Sequence, residues 1–186
     1  YLEDGPYANV YDLATFYDNH DMRRLDATDA GFIDAHNWLF TVRGIPVVYY
    51  GSETGFMRGQ PEHGGNRAYF GQESIDAAPG NDIHRNLKRI ATLRRESPAL
   101  QRGLQLDVRL QGDQAVFYRV YQQGDVAQTA LVLLNKGDRA QRMTVSEYLQ
   151  PGLWRDGFSG KTTHVGKRLR AEVSAHGVRV FFFDRP

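Results

Sequence analysis

With 186 residues, 41% hydrophobic and 24% charged, the chain reads as globular, with room for one domain or two small ones. Its 23 lysines and arginines against 22 acidic residues leave a formal net charge of +1, which gives no electrostatic case for nucleic acid or an anionic membrane as partner. Cysteine is absent, excluding disulfides and thiolate metal sites while leaving the compartment open. No apolar run approaches the length needed to cross a bilayer. The sequence opens Tyr1-Leu2-Glu3-Asp4 without an initiator methionine or a signal-peptide pattern, as expected of a piece of a longer chain.

The first half alternates strand-like and helix-like segments. Residues 12–18 form a short apolar strand candidate ending at Asn19-His20-Asp21. Thr28 or Asp29 is a plausible N-cap for a helix from Ala30 to Arg43. Phe32, Ile33, His36, Leu39, Phe40 and Arg43 fall at three- and four-residue spacings there, and Gly44 closes it. Ile45 to Tyr50 is an uninterrupted β-branched and aromatic run, the pattern of a parallel strand buried on both faces, with Pro46 tolerated at its start. Residues 51–81 are polar and rich in glycine, and a loop of that length inside a compact domain is usually functional. A second amphipathic helix, opened at Asn81 or Asp82, carries Ile83, Leu87, Ile90, Ala91 and Arg94 and stops before Pro98.

Beyond Pro98 the period changes to two. Leu104, Leu106, Val108 and Leu110 alternate with Gln105, Asp107 and Arg109. Gly112-Asp113 turns into a strand over 115–121, Gln123-Gly124-Asp125 turns again, and Thr129 to Asn135 reads as a central strand. Arg142 to Val145, Leu169 to Val173 and Val178 to Phe183 complete an antiparallel set, with His176-Gly177 at the last turn. The fold class expected is therefore α/β over 1–97 followed by an all-β antiparallel sandwich over 98–186.

Asn19-His20-Asp21 is the sharpest chemical cluster. A carboxylate and an imidazole at a strand end can bind sugar hydroxyls and stabilise positive charge at an anomeric carbon; the same triplet also serves as ordinary turn chemistry. Phe16-Tyr17-Asp18-Asn19-His20-Asp21 resembles the fourth signature region of the α-amylase family of glycoside hydrolases. Gly44-Ile45-Pro46-Val47-Val48-Tyr49-Tyr50-Gly51 resembles that family's eighth barrel strand. The two stand in the family's order and spacing, and a β-module follows as the family's C-terminal domain does. The resemblance is specific over residues 15–56.

The resemblance implies that residues 1–97 are the C-terminal quarter of a (β/α)8 TIM barrel, strands seven and eight with their helices. Asp21 would then be the third catalytic carboxylate, with His20 bonding the same sugar and Asn19 ordering the strand end. The nucleophile and the acid/base carboxylate that retaining glycosidases need would lie upstream, so neither role goes to Glu53 or Glu62. Glu53 reaches the substrate cleft or serves as a cap or salt bridge; Ser52 before it departs from the family's usual acidic residue. Asn66-Arg67 resembles the Asn-Arg pair contacting outer sugar subsites in cyclodextrin-forming members, with Arg67 the substrate-binding candidate, although His63 stands where an acid is found in some of them. Tyr50, with Tyr49, Phe56 and Tyr69, offers rings for glucose stacking or for core packing.

Trp38 reads as a packing residue and Trp154 as core or sugar platform. His36, His84, His164 and His176 have no metal-ligand spacing, and no phosphate-loop pattern occurs. No cofactor is expected in this chain; calcium is expected of the parent enzyme, with upstream ligands. The resemblance further implies an α-glucan substrate and favours a secreted or periplasmic protein. Hydrolysis of α-1,4 bonds is the default, transglycosylation the alternative, and a non-catalytic carbohydrate-binding or assembly module the rival from another class. The chain alone is expected to be inactive, and its open parallel strands are expected to self-associate or rearrange.

Overall fold

The computed structural model describes residues 7–64 and 66–185; Tyr1-Leu2-Glu3-Asp4 and Gly65 of the glycine-rich loop lie outside them. The chain divides into two compact units. One comprises the residues up to Phe40 with Gly44–Thr92, the other Thr41–Arg43 with the residues from Leu93 onward.

In the first unit, Asn9 caps a 3-10 turn at Val10–Asp12, its Oδ1 accepting from Tyr11 N at 3.0 Å. Strand β1 (Ala14–Thr15) follows, then helix α1 (Asp29–Thr41) and strand β2 (Ile45–Pro46), which pairs parallel with β1 in the register Ala14↔Ile45 and Thr15↔Pro46. Thr28 Oγ1 accepts from Gly31 N at 3.3 Å, so threonine rather than Asp29 closes the start of α1. Gly44, at φ +94°, is required: a Cβ there would stand 2.6 Å from Thr15 Cγ2. Only glycine lets the chain leave α1 and enter β2 directly beside β1.

Both strands are far shorter than the expected 12–18 and 45–50, and β2 is not buried on both faces, Ile45 and Val47 being 53% and 43% exposed. The composition is that of a parallel strand, but such a strand needs partners on both edges and layers on both faces, and only two strands pair here. The stretch taken as a single loop over 51–81 contains a 3-10 turn (Ser52–Thr54), helix α2 (Gln72–Ala77) and another 3-10 turn (Ala78–Gly80). Helix α2 buries no residue, so it carries no apolar stripe by which sequence could reveal it. Helix α3 (Asp82–Arg95) begins at Asn81, whose Oδ1 accepts from Ile83 N at 2.8 Å, and sinks Ile83 and Ile90 completely. Trp38 is 43% exposed, which corrects its reading as a packing residue: the buried stripe of α1 runs through Phe32, His36 and Leu39, and Trp38 lies off it.

The second unit opens with a helix the period-two pattern concealed, α4 (Pro98–Arg102), capped by Ser97 Oγ accepting from Leu100 N at 3.1 Å. Pro98 ends α3, but proline also suits the first position of a new helix. Strands β3 (Leu104–Gln111), β4 (Gln114–Gln123), β5 (Val126–Asn135), β7 (Gly152–Asp156), β8 (Thr162–Val165) and β10 (Gly177–Arg185) form a sheet in the order β3-β4-β5-β10-β7-β8. Strands β6 (Gln141–Val145) and β9 (Leu169–Val173) pair antiparallel as a second layer. Met143 and Val145 from β6 and Leu169, Ala171 and Val173 from β9 pack on Tyr118, Leu131, Leu133, Trp154 and Phe181 of the large sheet. Trp154 is fully buried and donates from Nε1 to Gln150 O at 2.8 Å, so it is core and not a sugar platform. Strands β7 and β8 escape a pattern reading because only one or two positions in each are buried.

Candidate active site

The cluster sits where the chain leaves β1. Asn19 Oδ1 accepts from Asp21 N at 2.8 Å, an Asx turn that sharply ends the strand direction. Beyond it the side chains of His20 and Asp21 are 62% and 64% exposed, with His20 Nε2 3.2 Å from Asp21 Oδ2. Arg67 completes the group: its Nη2 donates to Asp21 Oδ1 at 3.0 Å and its Nε to His20 O at 3.2 Å. The exposed face thus carries a carboxylate held between an imidazole and a guanidinium. Such an arrangement can present negative charge and directed hydrogen bonds to a polyol.

Beneath it lies a buried polar layer. Asp18 is 2% exposed, Arg24 1% and Ser52 and Asn66 0%. Ser52 Oγ lies 3.0 Å from each oxygen of Asp18 and accepts from Arg24 Nη1 at 3.1 Å. Arg24 also donates to Tyr50 O at 2.8 Å and Asn66 O at 3.1 Å. Its guanidinium lies 4.1 Å from the ring centroid of Tyr49 and 4.9 Å from that of Tyr50, cation–π contacts that offset part of the desolvation of the charge. Burial raises the Asp18 pKa, against the lowering effect of the Ser52 hydroxyl, the Leu25 amide and Arg24. Next to it, Tyr17 Oη and His36 Nε2 are 2.7 Å apart, tying the strand end to α1. Burial drives the His36 pKa down to about 4; the Tyr17 pKa is raised by burial and then by the Asp18 charge.

The structure therefore brings Asn19, His20, Asp21 and Arg67 together. Tyr50 contributes from below, its hydroxyl donating to Ala68 O at 2.7 Å. Tyr50 and Glu53 also line a cleft of about 380 Å³ with Val48, His84, Leu87 and Lys88. Gly51, at φ +83°, turns the chain from Tyr50 into Glu53, and a Cβ there would meet Phe56 at 2.8 Å. Of the rings proposed for stacking, Tyr69 is 89% exposed and Tyr50 39%. Sequence reasoning missed Asp18, Arg24 and Ser52 as one network. The only available signal was ionic and polar residues embedded in apolar runs, which shows a buried pair only once both runs are known to be neighbours.

Among the described residues, no group of three or more histidines and carboxylates could hold a metal ion. No helix among them is long and apolar enough to cross a membrane.

The described residues thus give a short parallel strand pair, an exposed carboxylate–imidazole–guanidinium cluster after it, and an antiparallel module that resembles the C-terminal portion of α-amylase-type proteins. Comparison with known proteins agrees. The chain is 30% identical over 130 residues to an α-amylase of Streptomyces lividans, covering 54% of this chain and 14% of the relative. It is 31% identical over 118 residues to a cyclomaltodextrin glucanotransferase of Niallia circulans, covering 62% and 16%. Among solved structures it superposes on the Geobacillus thermoleovorans α-amylase, a complex with acarbose, with a TM-score of 0.76 and 25% identity over 95% of this chain and 39% of that one. No family profile matches the chain. These matches place it among the homologues of α-amylase-family enzymes, of which it spans 14% and 16% of the length in the two sequence relatives given.

Proposed function

We propose that the chain is the C-terminal part of an α-glucan-active enzyme of the α-amylase type: the last two βα units of a (β/α)8 barrel over 1–97 and a C-terminal β-sandwich over 98–186. Asp21 is its third active-site carboxylate. The observation that carries this reading is the Asp21 carboxylate, exposed in the turn six residues after a parallel strand and flanked by His20 and Arg67. Carboxyl ends of barrel strands are where such enzymes place their chemistry. In this role Asp21 sets negative charge beside an oxocarbenium-like centre. His20 bonds the same sugar's hydroxyls, Asn19 shapes the turn, and Arg67, Tyr50 and Glu53 border the substrate path. The nucleophile and acid/base are supplied by strands outside this chain, so the 186 residues alone are inactive and their parallel strands self-associate.

Hydrolysis of α-1,4-glucosidic bonds with retention is the first reading. Transglycosylation is the second, supported by the glucanotransferases among the relatives. The deciding experiment assays the longer natural protein on starch: linear maltooligosaccharides mark a hydrolase, cyclic products a transferase, and Asp21→Asn lowers kcat by at least about a thousandfold. Undiminished activity in that variant removes Asp21 from the chemistry. Reducing sugar released from starch by the 186-residue chain refutes its inactivity.

A further inference from the structure

The exposed triplet is not held by the strand that leads into it. Strand β1 is two residues long, and the turn after it has three carbonyls, those of Asn19, His20 and Met22, directed into the protein. All three converge on one side chain: Asn66 Nδ2 lies 3.2 Å from Asn19 O, 3.0 Å from His20 O and 2.7 Å from Met22 O. Asn66 is completely buried and is fixed through its backbone carbonyl, which accepts from Arg24 Nη2 at 3.1 Å and from Tyr49 Oη at 3.2 Å. The next residue, Arg67, takes the His20 carbonyl with Nε and the Asp21 carboxylate with Nη2. One dipeptide therefore holds both backbone and side chain of the turn, from a loop more than forty residues away in sequence.

We propose that Asn66 and Arg67 are the positioning residues of Asp21. Asn66 sets where the turn's backbone lies, and Arg67 sets the direction of the carboxylate and keeps a positive partner on it. The catalytic part of this assignment rests on the functional reading above; the clamp itself does not. Chemistry explains why these two types are needed. A buried amide is the neutral side chain whose two N–H donors can serve this group of carbonyls, one of them shared between two oxygens, without bringing a charge inside. A guanidinium presents parallel donors that fit a carbonyl and a carboxylate at once, which an ammonium cannot do in fixed geometry.

The test uses the longer natural protein, isotopically labelled over these 186 residues. Asn66→Ala raises amide exchange at Asp21 and Met22 by roughly tenfold, while amides of β4 and β5 keep their protection as a folding control. Arg67→Ala leaves that exchange within about twofold but moves the Asp21 carboxylate carbon resonance, and Arg67→Lys returns it only part of the way. Arg67 is half exposed, so its variants stay interpretable if Asn66→Ala unfolds the first unit. An unmoved Asp21 resonance in Arg67→Ala, or unchanged exchange at residues 21 and 22 in a folded Asn66→Ala, overturns the proposal. Maltoheptaose titrated into the longer natural protein separates the two readings. Shifts at His20 and Asp21 support the glucan site; their absence sinks that reading and leaves the clamp to the exchange and carbon data.

Discussion

The two units reach order by opposite routes. The β-module is stabilised by area: Tyr118, Leu131, Leu133, Met143, Val173 and Trp154 are all at most 2% exposed and belong to one cluster. The site-bearing unit has strands of two residues and, besides Phe32, Ile83 and Ile90, buries a polar layer at the site, Asp18, Arg24, Ser52 and Asn66. Apolar burial is non-directional and tolerates local change, whereas the bonds of a buried polar network are directed and are lost when one partner moves. The comparison teaches that precision at the Asp21 turn rests on a few directed bonds, and robustness on the module that takes no part in it.

That contrast can be broken by substitution, beginning with the largest expected effect. Trp154→Ala removes the module's bulkiest buried side chain and its bond to Gln150, and is expected to cost about 3–5 kcal/mol. It is measured by urea unfolding followed through β4 and β5 amide exchange. Loss below about 1 kcal/mol would deny that the module is held by packing. Arg24→Ala strips donors from Tyr50, Ser52 and Asn66 at once and is expected to cost roughly 3 kcal/mol, confined to the first unit. Loss of protection in β5 as well would show that the two units unfold together.

Acid sharpens the same comparison. His36 is fully buried, with its pKa lowered to about 4 from 6.5, so between those values the unfolded state binds the extra proton. Its contribution is complete above pH 6.5 and is lost as pH falls toward 4, about 3 kcal/mol in all, from the first unit alone. Urea midpoints across that range, with His36→Gln as the flattened reference, measure it; an equal pH slope in the variant assigns the effect elsewhere. The smallest expected effect is at Ile45, 53% exposed on β2. Ile45→Ser is expected to cost under about 0.5 kcal/mol in this chain. In the longer protein, where the proposed neighbouring strand covers it, the cost rises to roughly 2 kcal/mol. Equal costs in both would count against the barrel assignment.

Much of the architecture was legible along the chain because local rules and burial agree there. The period of three to four placed α1 and α3, and the alternation with Gly112 and Gly124 turns placed β3 to β5. Legibility failed where the pattern lacked a buried face: α2 buries nothing, α4 hides behind a proline that both stops and starts a helix, and β7 and β8 bury little. At the site, Asn19, His20, Asp21 and Arg67 were named from residue types and from resemblance, and the structure puts them in one cluster. Asp18, Arg24 and Ser52 were not, since a polar residue inside an apolar run does not reveal its partner.

The sequence by itself determined where α1, α3 and the paired strands β3 to β5 run, and which kind of enzyme it resembles. These follow from periodicity, turn chemistry and motif, all properties of neighbours along the chain. Only the tertiary structure decided that Asn66 reaches three carbonyls of the turn, that Arg67 takes the Asp21 carboxylate, and that Arg24 donates to the Asn66 carbonyl. Those bonds join residues more than forty positions apart, and their geometry exists only after packing has brought the two loops together.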